Sequence, residues 1–216
     1  MRVYYSSFYP LCSTPLGRRA VQRYGIPPFI DGSCRREPDF QHQFPSITAL
    51  CRPRFVEKLS IGSKVIYSTN KYGIGKKRIV AILEVIEICD SHQEAAQWYR
   101  NNSQEVLPNN IMSDENDNPT IPIPLDRTHQ MGAWIKWTTG DDWDKEYKKR
   151  ANEHSTVAIC KVWQNHKYLS NPPTITIEEI ENIIGHRTLT MNPPDVTTHW
   201  DKICALLSNR LTTNNN

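Results

Sequence analysis

Asp31-Gly-Ser-Cys-Arg-Arg-Glu-Pro-Asp39, then Pro45-Ser-Ile-Thr-Ala-Leu-Cys-Arg-Pro53, then Val65-Ile-Tyr-Ser-Thr69 is the stretch on which the fold turns. A polar, doubly basic loop is followed by two consecutive buried-strand signals. The loop offers cations, carboxylates, a hydroxyl and a thiol within nine residues, and strands after it can hold it rigid. That combination predicts a binding site on a small β-rich domain.

The flanking sequence extends this pattern. Val3–Phe8 is β-branched and aromatic and predicts a first strand. Thr14-Pro15 through Tyr24-Gly25 supplies a cap, a proline at the first helical position and a terminal glycine, so a short helix follows. Its Arg18, Arg19 and Arg23 fall on roughly one side; they meet phosphates or form a solvated face, and both readings stand. Pro27-Pro28 breaks the helix. Ser46–Cys51 alternates weakly, Arg54–Gly62 reads as a turn, Lys64–Thr69 as a strand, Asn70–Lys77 as a basic hairpin loop, and Arg78–Ile88 as a long β-branched strand. Ser91-His-Gln-Glu94 is a capping box opening a helix over His92–Asn101.

Residues 102–130 are rich in Asn, Asp and Pro without periodicity, which reads either as a lid over a site or as an exposed insertion. Ala133–Trp137 and Thr156–Trp163 resume strand pattern, with a charged helix from about Thr139 to Ala151 between them. Pro-Pro pairs at 172–173 and 193–194 introduce apolar helical stripes over Ile175–Ile184 and Val196–Leu207, with a short strand over Arg187–Met191 between them. The expected fold class is α+β: a PUA-like, mostly antiparallel curved sheet or small barrel over residues 1–165. A helical extension over 166–216 packs on it, with a disordered tail from about 211.

Composition narrows the function classes. The chain of 216 residues is 38% hydrophobic with a mean hydropathy of −0.60, and its longest apolar run is broken by Glu84 and Glu87, so no membrane span is expected. The N-terminus lacks the apolar core of a signal peptide, and a cytoplasmic location is expected. Six widely spaced cysteines without a CxxC pair predict free thiols rather than a zinc site. Of the 26 Lys/Arg and 23 Asp/Glu, residues 1–90 hold 14 and 7, and the remainder 12 and 16. A basic half beside an acidic half suggests a polyanion-facing surface on the first, or ordinary solvated charge.

No phosphate-loop or dinucleotide fingerprint occurs: Gly73-x-Gly75 is too sparse. A cysteine nucleophile would pair Cys34 or Cys51 with His42, but no local signature surrounds either thiol. A metal-dependent nuclease would use Asp31, Glu37 and Asp39, yet no Lys lies two residues beyond Glu87 to complete the usual strand-borne arrangement. Binding fits the residues better. Arg35 and Arg36 supply forks for phosphate or a purine edge. Asp31 and Asp39 accept from exocyclic amines, and Ser33 and Arg52 join the set. Tyr67 and Thr69 line the pocket, and Lys71, Lys76 and Lys77 hold the backbone. Tyr5, Tyr67, Trp98, Trp134 and Trp137 are stacking candidates, with core packing the alternative for the tryptophans. Equally, Arg35 and Arg36 pair with Glu37 and Asp39 to brace the loop.

Ser46-Ile-Thr-Ala-Leu-Cys-Arg-Pro-Arg54, Leu59-Ser-Ile-Gly-Ser-Lys-Val-Ile-Tyr67 and Arg78-Ile-Val-Ala-Ile-Leu-Glu-Val-Ile86 together resemble the nucleotide-modification-associated (Nmad-type) domains. Those carry a "T-L-A-x-C-K-P" strand, a "G-D-W-I" strand entry and an "L-V-Y-A-M-x-V" strand in this order. More distantly the region is similar to the PUA-like group that includes the EVE, ASCH and YTH domains. The likeness covers about residues 44–100, and the usual Gly-Asp is Gly62-Ser63 here. It implies a small β-barrel that reads modified bases in DNA or RNA, in a phage, DNA-modification or defence setting, and it supplies no catalytic residues. The expected function is therefore binding of nucleic acid or a nucleotide carrying a modified base, without cofactor or metal. The alternatives are a nucleotide- or nucleic-acid-processing enzyme using the acidic residues of 31–39, and a module that binds a protein partner through its C-terminal helices.

Overall fold

The computed structural model describes residues 1–33, 35–50, 52–70, 77–104, 106–113, 140–184 and 193–213. The protein is mixed α+β, with a curled, open half-barrel sheet and flanking helices. The strands are β1 (Val3–Phe8), β2 (Ser46–Ile47), β3 (Lys64–Thr69), β4 (Lys77–Cys89), β5 (Val157–Lys167) and β6 (Thr174–Ile175). They run in the order β1-β3-β4-β5-β2, with β6 paired to the start of β4. β1 and β3 are parallel, from Val3 opposite Lys64 to Phe8 opposite Thr69, and the other pairs are antiparallel. A parallel pair needs a crossover, and residues 9–63 supply it. This crossover contains the polar 31–39 segment.

Curl comes from irregular register. The β3–β4 ladder slips between Tyr67 and Ser68, and β4–β5 slips at two places. One slip spans Gln164 and Asn165, both in the left-handed region with φ of 44° and 62°. Such bulges raise local twist and bend the strand. Thus β5 continues to Lys167, beyond the expected end at Trp163.

The sheet buries both faces. On one face the crossover loops cover a core of Tyr4, Phe8, Phe40, Phe55, Val65, Tyr67, Leu83, Val85 and Cys160. On the other, Val3, Tyr5, Ile66, Ile79 and Ile82 pack under Ile180 of α5 (Ile177–Ile184) and Ile203 and Leu207 of α6 (Trp200–Thr213). Backbone bonds stitch this C-terminal part to β1: Val196 N–H donates to Val3 O at 2.7 Å and Tyr5 N–H to Pro194 O at 3.1 Å. The apolar stripes of the C-terminal helices therefore face the chain's own sheet. α6 continues to Thr213, past the expected start of the tail.

Local signals account for the remaining helices. In α1 (Pro15–Tyr24) the Thr14 hydroxyl accepts from Gly17 N–H at 2.9 Å, and Gly25 ends the helix at φ 63°. In α3 (His92–Asn101) the Ser91 hydroxyl accepts from Glu94 N–H, while the Glu94 carboxylate reaches back to Asp90 N–H rather than to the cap itself. α5 has the full reciprocal box between Thr176 and Glu179. The stretch expected as a turn after residue 53 opens with a short helix, α2 (Pro53–Val56), and α4 spans Gly140–Glu153. The strands expected at 133–137 and 187–191 lie outside the described residues.

Candidate functional site

Around residues 31–39 the chain turns inward. Arg35 and Arg36 are each only 1% exposed, and Asp31, Glu37 and Asp39 are buried with them. Buried charge demands partners, and the structure supplies them from the loop itself and from sequence-distant segments. Asp31 Oδ1 accepts from Ser33 N–H at 2.8 Å and from the Ser33 hydroxyl. Arg36 occupies the left-handed region at φ 55° and donates from Nη1 to Asp31 O at 2.9 Å and Ser33 O at 2.7 Å, which holds that conformation. Arg35 Nη1 donates to Asn109 O at 3.2 Å. Asp39 Oδ2 accepts from the backbone and side-chain nitrogens of the same Asn109, at 3.2 and 3.0 Å.

Glu37 is the centre of a clamp. Its Oε1 accepts from Thr48 N–H at 2.7 Å, and its Oε2 from the Thr48 hydroxyl at 2.6 Å and Asn110 Nδ2 at 2.9 Å. Asn110 in turn holds Ser46, donating to its carbonyl at 2.9 Å and accepting from its hydroxyl at 2.7 Å. Burial pushes the Glu37 carboxyl up to about 7 despite these donors, with the Asp31 charge adding to the rise. Burial also raises Asp31, against the opposing pull of Ser33 and Arg36. The cluster sets two guanidinium groups against three carboxyl groups, and a proton held on Glu37 reduces that formal excess of negative charge.

Tyr67 lies on the same face of the sheet. Its ring packs against Phe40 at 5.2 Å and Phe8 at 6.4 Å, and its strand neighbour on β1 is Ser6. Arg52 donates to the Ser6 hydroxyl and the Ser7 carbonyl. Burial drives the Tyr67 phenol well above its ordinary value; the Arg52 charge pulls it down, while Glu37 and Asp31 push it up. No hydrogen bond reaches the Tyr67 hydroxyl among the described residues. Asp31, Arg36 and Tyr67 thus share one polar region with the half-buried Ser33 and Arg52, and Arg35 and Asp39 lie beside it through Asn109.

Other expected members lie elsewhere. Thr69 is buried at the end of β3, its hydroxyl accepting from Arg78 N–H at 3.0 Å. Lys77 is 4% exposed, with its ammonium 5.4 Å from the Tyr5 ring centroid, on the helix-covered side. Its charge points into the protein, so Lys77 does not present itself to a nucleic-acid backbone. Lys71 and Lys76, Cys34 and Cys51, and Trp134 and Trp137 lie outside the described residues. His42, the base of the cysteine reading, is tied down: Nε2 lies 2.8 Å from Val106 O, and Nδ1 accepts from Phe44 N–H at 3.0 Å. Trp98 packs edge-on to Phe44 and Tyr99. Among the described residues no group of three or more His, Cys, Asp or Glu side chains is placed to hold a metal ion. No helix among them is long and apolar enough to cross a membrane.

Sequence reasoning missed Asn109, Asn110 and His92. His92 Nδ1 accepts from Met112 N–H at 2.9 Å, so the proton sits on Nε2, which has no partner among the described residues. Burial, then the Arg35 charge, lowers this imidazole to about 4. The two asparagines lie in a run whose polarity reads as exposed loop. The one signal against that reading is Ile111-Met112 directly after them, which is buried.

No protein-family model, curated protein or solved structure matches the chain.

Proposed function

We propose that the chain is a PUA-like module of the nucleotide-modification-associated kind that binds nucleic acid, or a nucleotide, through a modified base taken up against Tyr67. The observation that carries this reading is the Tyr67 hydroxyl. It makes no hydrogen bond among the described residues, although Arg52, Asp31 and Glu37 all act on it electrostatically. Tyr67 is 4% exposed, and a ligand's polar edge would give its hydroxyl the partner that the described residues do not. The Phe8, Phe40 and Tyr67 rings offer an apolar wall, and the carboxyl groups and Arg52 offer both acceptors and donors, the mixture that recognition of an extruded base uses.

This reading differs from one based on open-surface arginines. Arg35 and Arg36 shape the site from within, and Arg35→Ala is a core truncation rather than a clean binding probe. Tyr67→Phe is the cleaner variant, because it removes one oxygen that no group among the described residues bonds. Affinity for a panel of nucleotides and oligonucleotides with modified and unmodified bases should discriminate among modifications. Tyr67→Phe should weaken the preferred ligand about five- to tenfold while leaving the thermal midpoint unchanged. Equal affinity across the panel, or an unaffected Tyr67→Phe variant, refutes the reading.

A further inference from the structure

We infer that the outer face of α1 is a phosphate-contacting surface for the backbone of a bound nucleic acid. The inference rests on the reading that the ligand is a nucleic acid, and it fills the role Lys77 cannot, since that ammonium is turned over Tyr5.

Three observations point the same way. The first 30 residues contain four arginines and no Asp or Glu, and the first carboxyl group, Asp31, is buried. Arg18, Arg19 and Arg23 of α1 are exposed, and none has an ion-pair partner among the described residues. Arg18 donates to Cys12 O at 3.1 Å and the Arg23 guanidinium lies 5.3 Å from the Tyr24 ring centroid, contacts that position the groups and leave their charge uncompensated. Helical spacing places 18, 19, 22 and 23 within one arc of the helix, so the three forks face outward together.

α1 is also fixed beside the base site. Leu11 N–H donates to Ile30 O at 2.9 Å, Cys12 N–H to Pro28 O at 3.0 Å and Gly32 N–H to Tyr9 O at 3.0 Å, and Pro10 bridges to Asp31. Val21 packs on Leu11 and Ile30. The helix that carries the arginines and the loop that carries Asp31 are therefore one packed unit. A membrane surface fits less well: an interfacial helix needs an exposed apolar face, and here Val21 turns to the protein while the outer face is Arg, Arg, Gln and Arg.

The test is the salt dependence of binding to a short labelled oligonucleotide. Three proteins are compared: wild type, R18Q/R19Q/R23Q, and the charge-matched K58Q/K148Q/K149Q, whose lysines are exposed on α4 and after α2. The slope of log Kobs against log salt should become shallower by about 2 to 3 in the arginine variant, with its thermal midpoint unchanged and the lysine variant like wild type. An unchanged slope, or an equal loss in the lysine variant, overturns the inference, as does binding of anionic phosphatidylserine vesicles without binding of the oligonucleotide. A shallower slope in the arginine variant while Tyr67→Phe has no effect upholds the α1 surface and refutes the base site. Weakened Tyr67→Phe with an unchanged slope does the reverse.

Discussion

Replacing Glu37 by glutamine removes one titrating group from the centre of the polar cluster and keeps the shape of its protonated form. The folded carboxyl titrates at about 7 against an ordinary 4.5. Between those values the native protein holds a proton that the unfolded chain has released, so the Glu37 contribution to stability falls as pH rises through that window and is constant above it. At 1.36 kcal/mol per unit the full swing is about 3 kcal/mol. His92 works in the opposite sense. It titrates at about 4 when folded against an ordinary 6.5, so its contribution is present above 6.5 and is lost as pH falls towards 4. From 4.5 to 6.5 the two slopes oppose each other in wild type. In Glu37→Gln the His92 slope is left without that counterweight, and stability should rise with pH more steeply there than in wild type. Relative to wild type, the glutamine variant should gain about 3 kcal/mol between pH 4.5 and 7, on top of a constant offset from amide hydrogens facing Thr48 and Asn110. Urea unfolding followed by tryptophan fluorescence at half-unit pH steps measures this difference. A variant-minus-wild-type stability that stays constant from pH 4.5 to 8 would sink the assignment of a buried, proton-holding Glu37.

Two further substitutions test the frame around the site. Gly17→Ala should destabilise by about 1–3 kcal/mol in chemical denaturation, because a Cβ there would stand 1.7 Å from Leu11 O; helix propensity alone predicts a gain of about 1 kcal/mol, so a stabilised variant refutes the close approach of α1 to the preceding turn. Asn110→Ala deletes three buried hydrogen bonds to Glu37 and Ser46 and should cost about 2–4 kcal/mol, with a loss below about 0.5 kcal/mol showing that the clamp carries no stability.

The strands and helices that were legible in the sequence are those fixed by neighbours in the chain. Val3–Phe8, Pro15–Tyr24 and His92–Asn101 carry their own β-branched run, proline start or capping box, and each forms over the expected residues. Elements decided by distant partners were not legible. The strand expected over Ser46–Cys51 stops at Ile47 because the Thr48 N–H goes to the Glu37 carboxylate, eleven residues earlier, rather than to a ladder. β5 outruns its pattern through Gln164 and Asn165, two non-glycine residues in left-handed conformation that only the β4 register explains.

The 31–39 segment follows the same logic. Its residue types announce hydrogen-bonding chemistry, and its direction depends on Asn109 and Asn110, some seventy residues away. One property of the segment did anticipate burial. Two arginines and three carboxyl groups lie within nine residues, so a single proton on Glu37 brings the segment to neutrality. A loop with an uncompensated charge would have to stay in water. This one can enter the protein beside the Tyr67 hydroxyl, which has no partner among the described residues, while the uncompensated charge of α1 remains outside. The proposed base site within and the proposed backbone-contacting surface without would be separate sites on one packed unit, which is why the Tyr67 and arginine variants should fail in different ways: the first in discrimination between ligands, the second in response to salt.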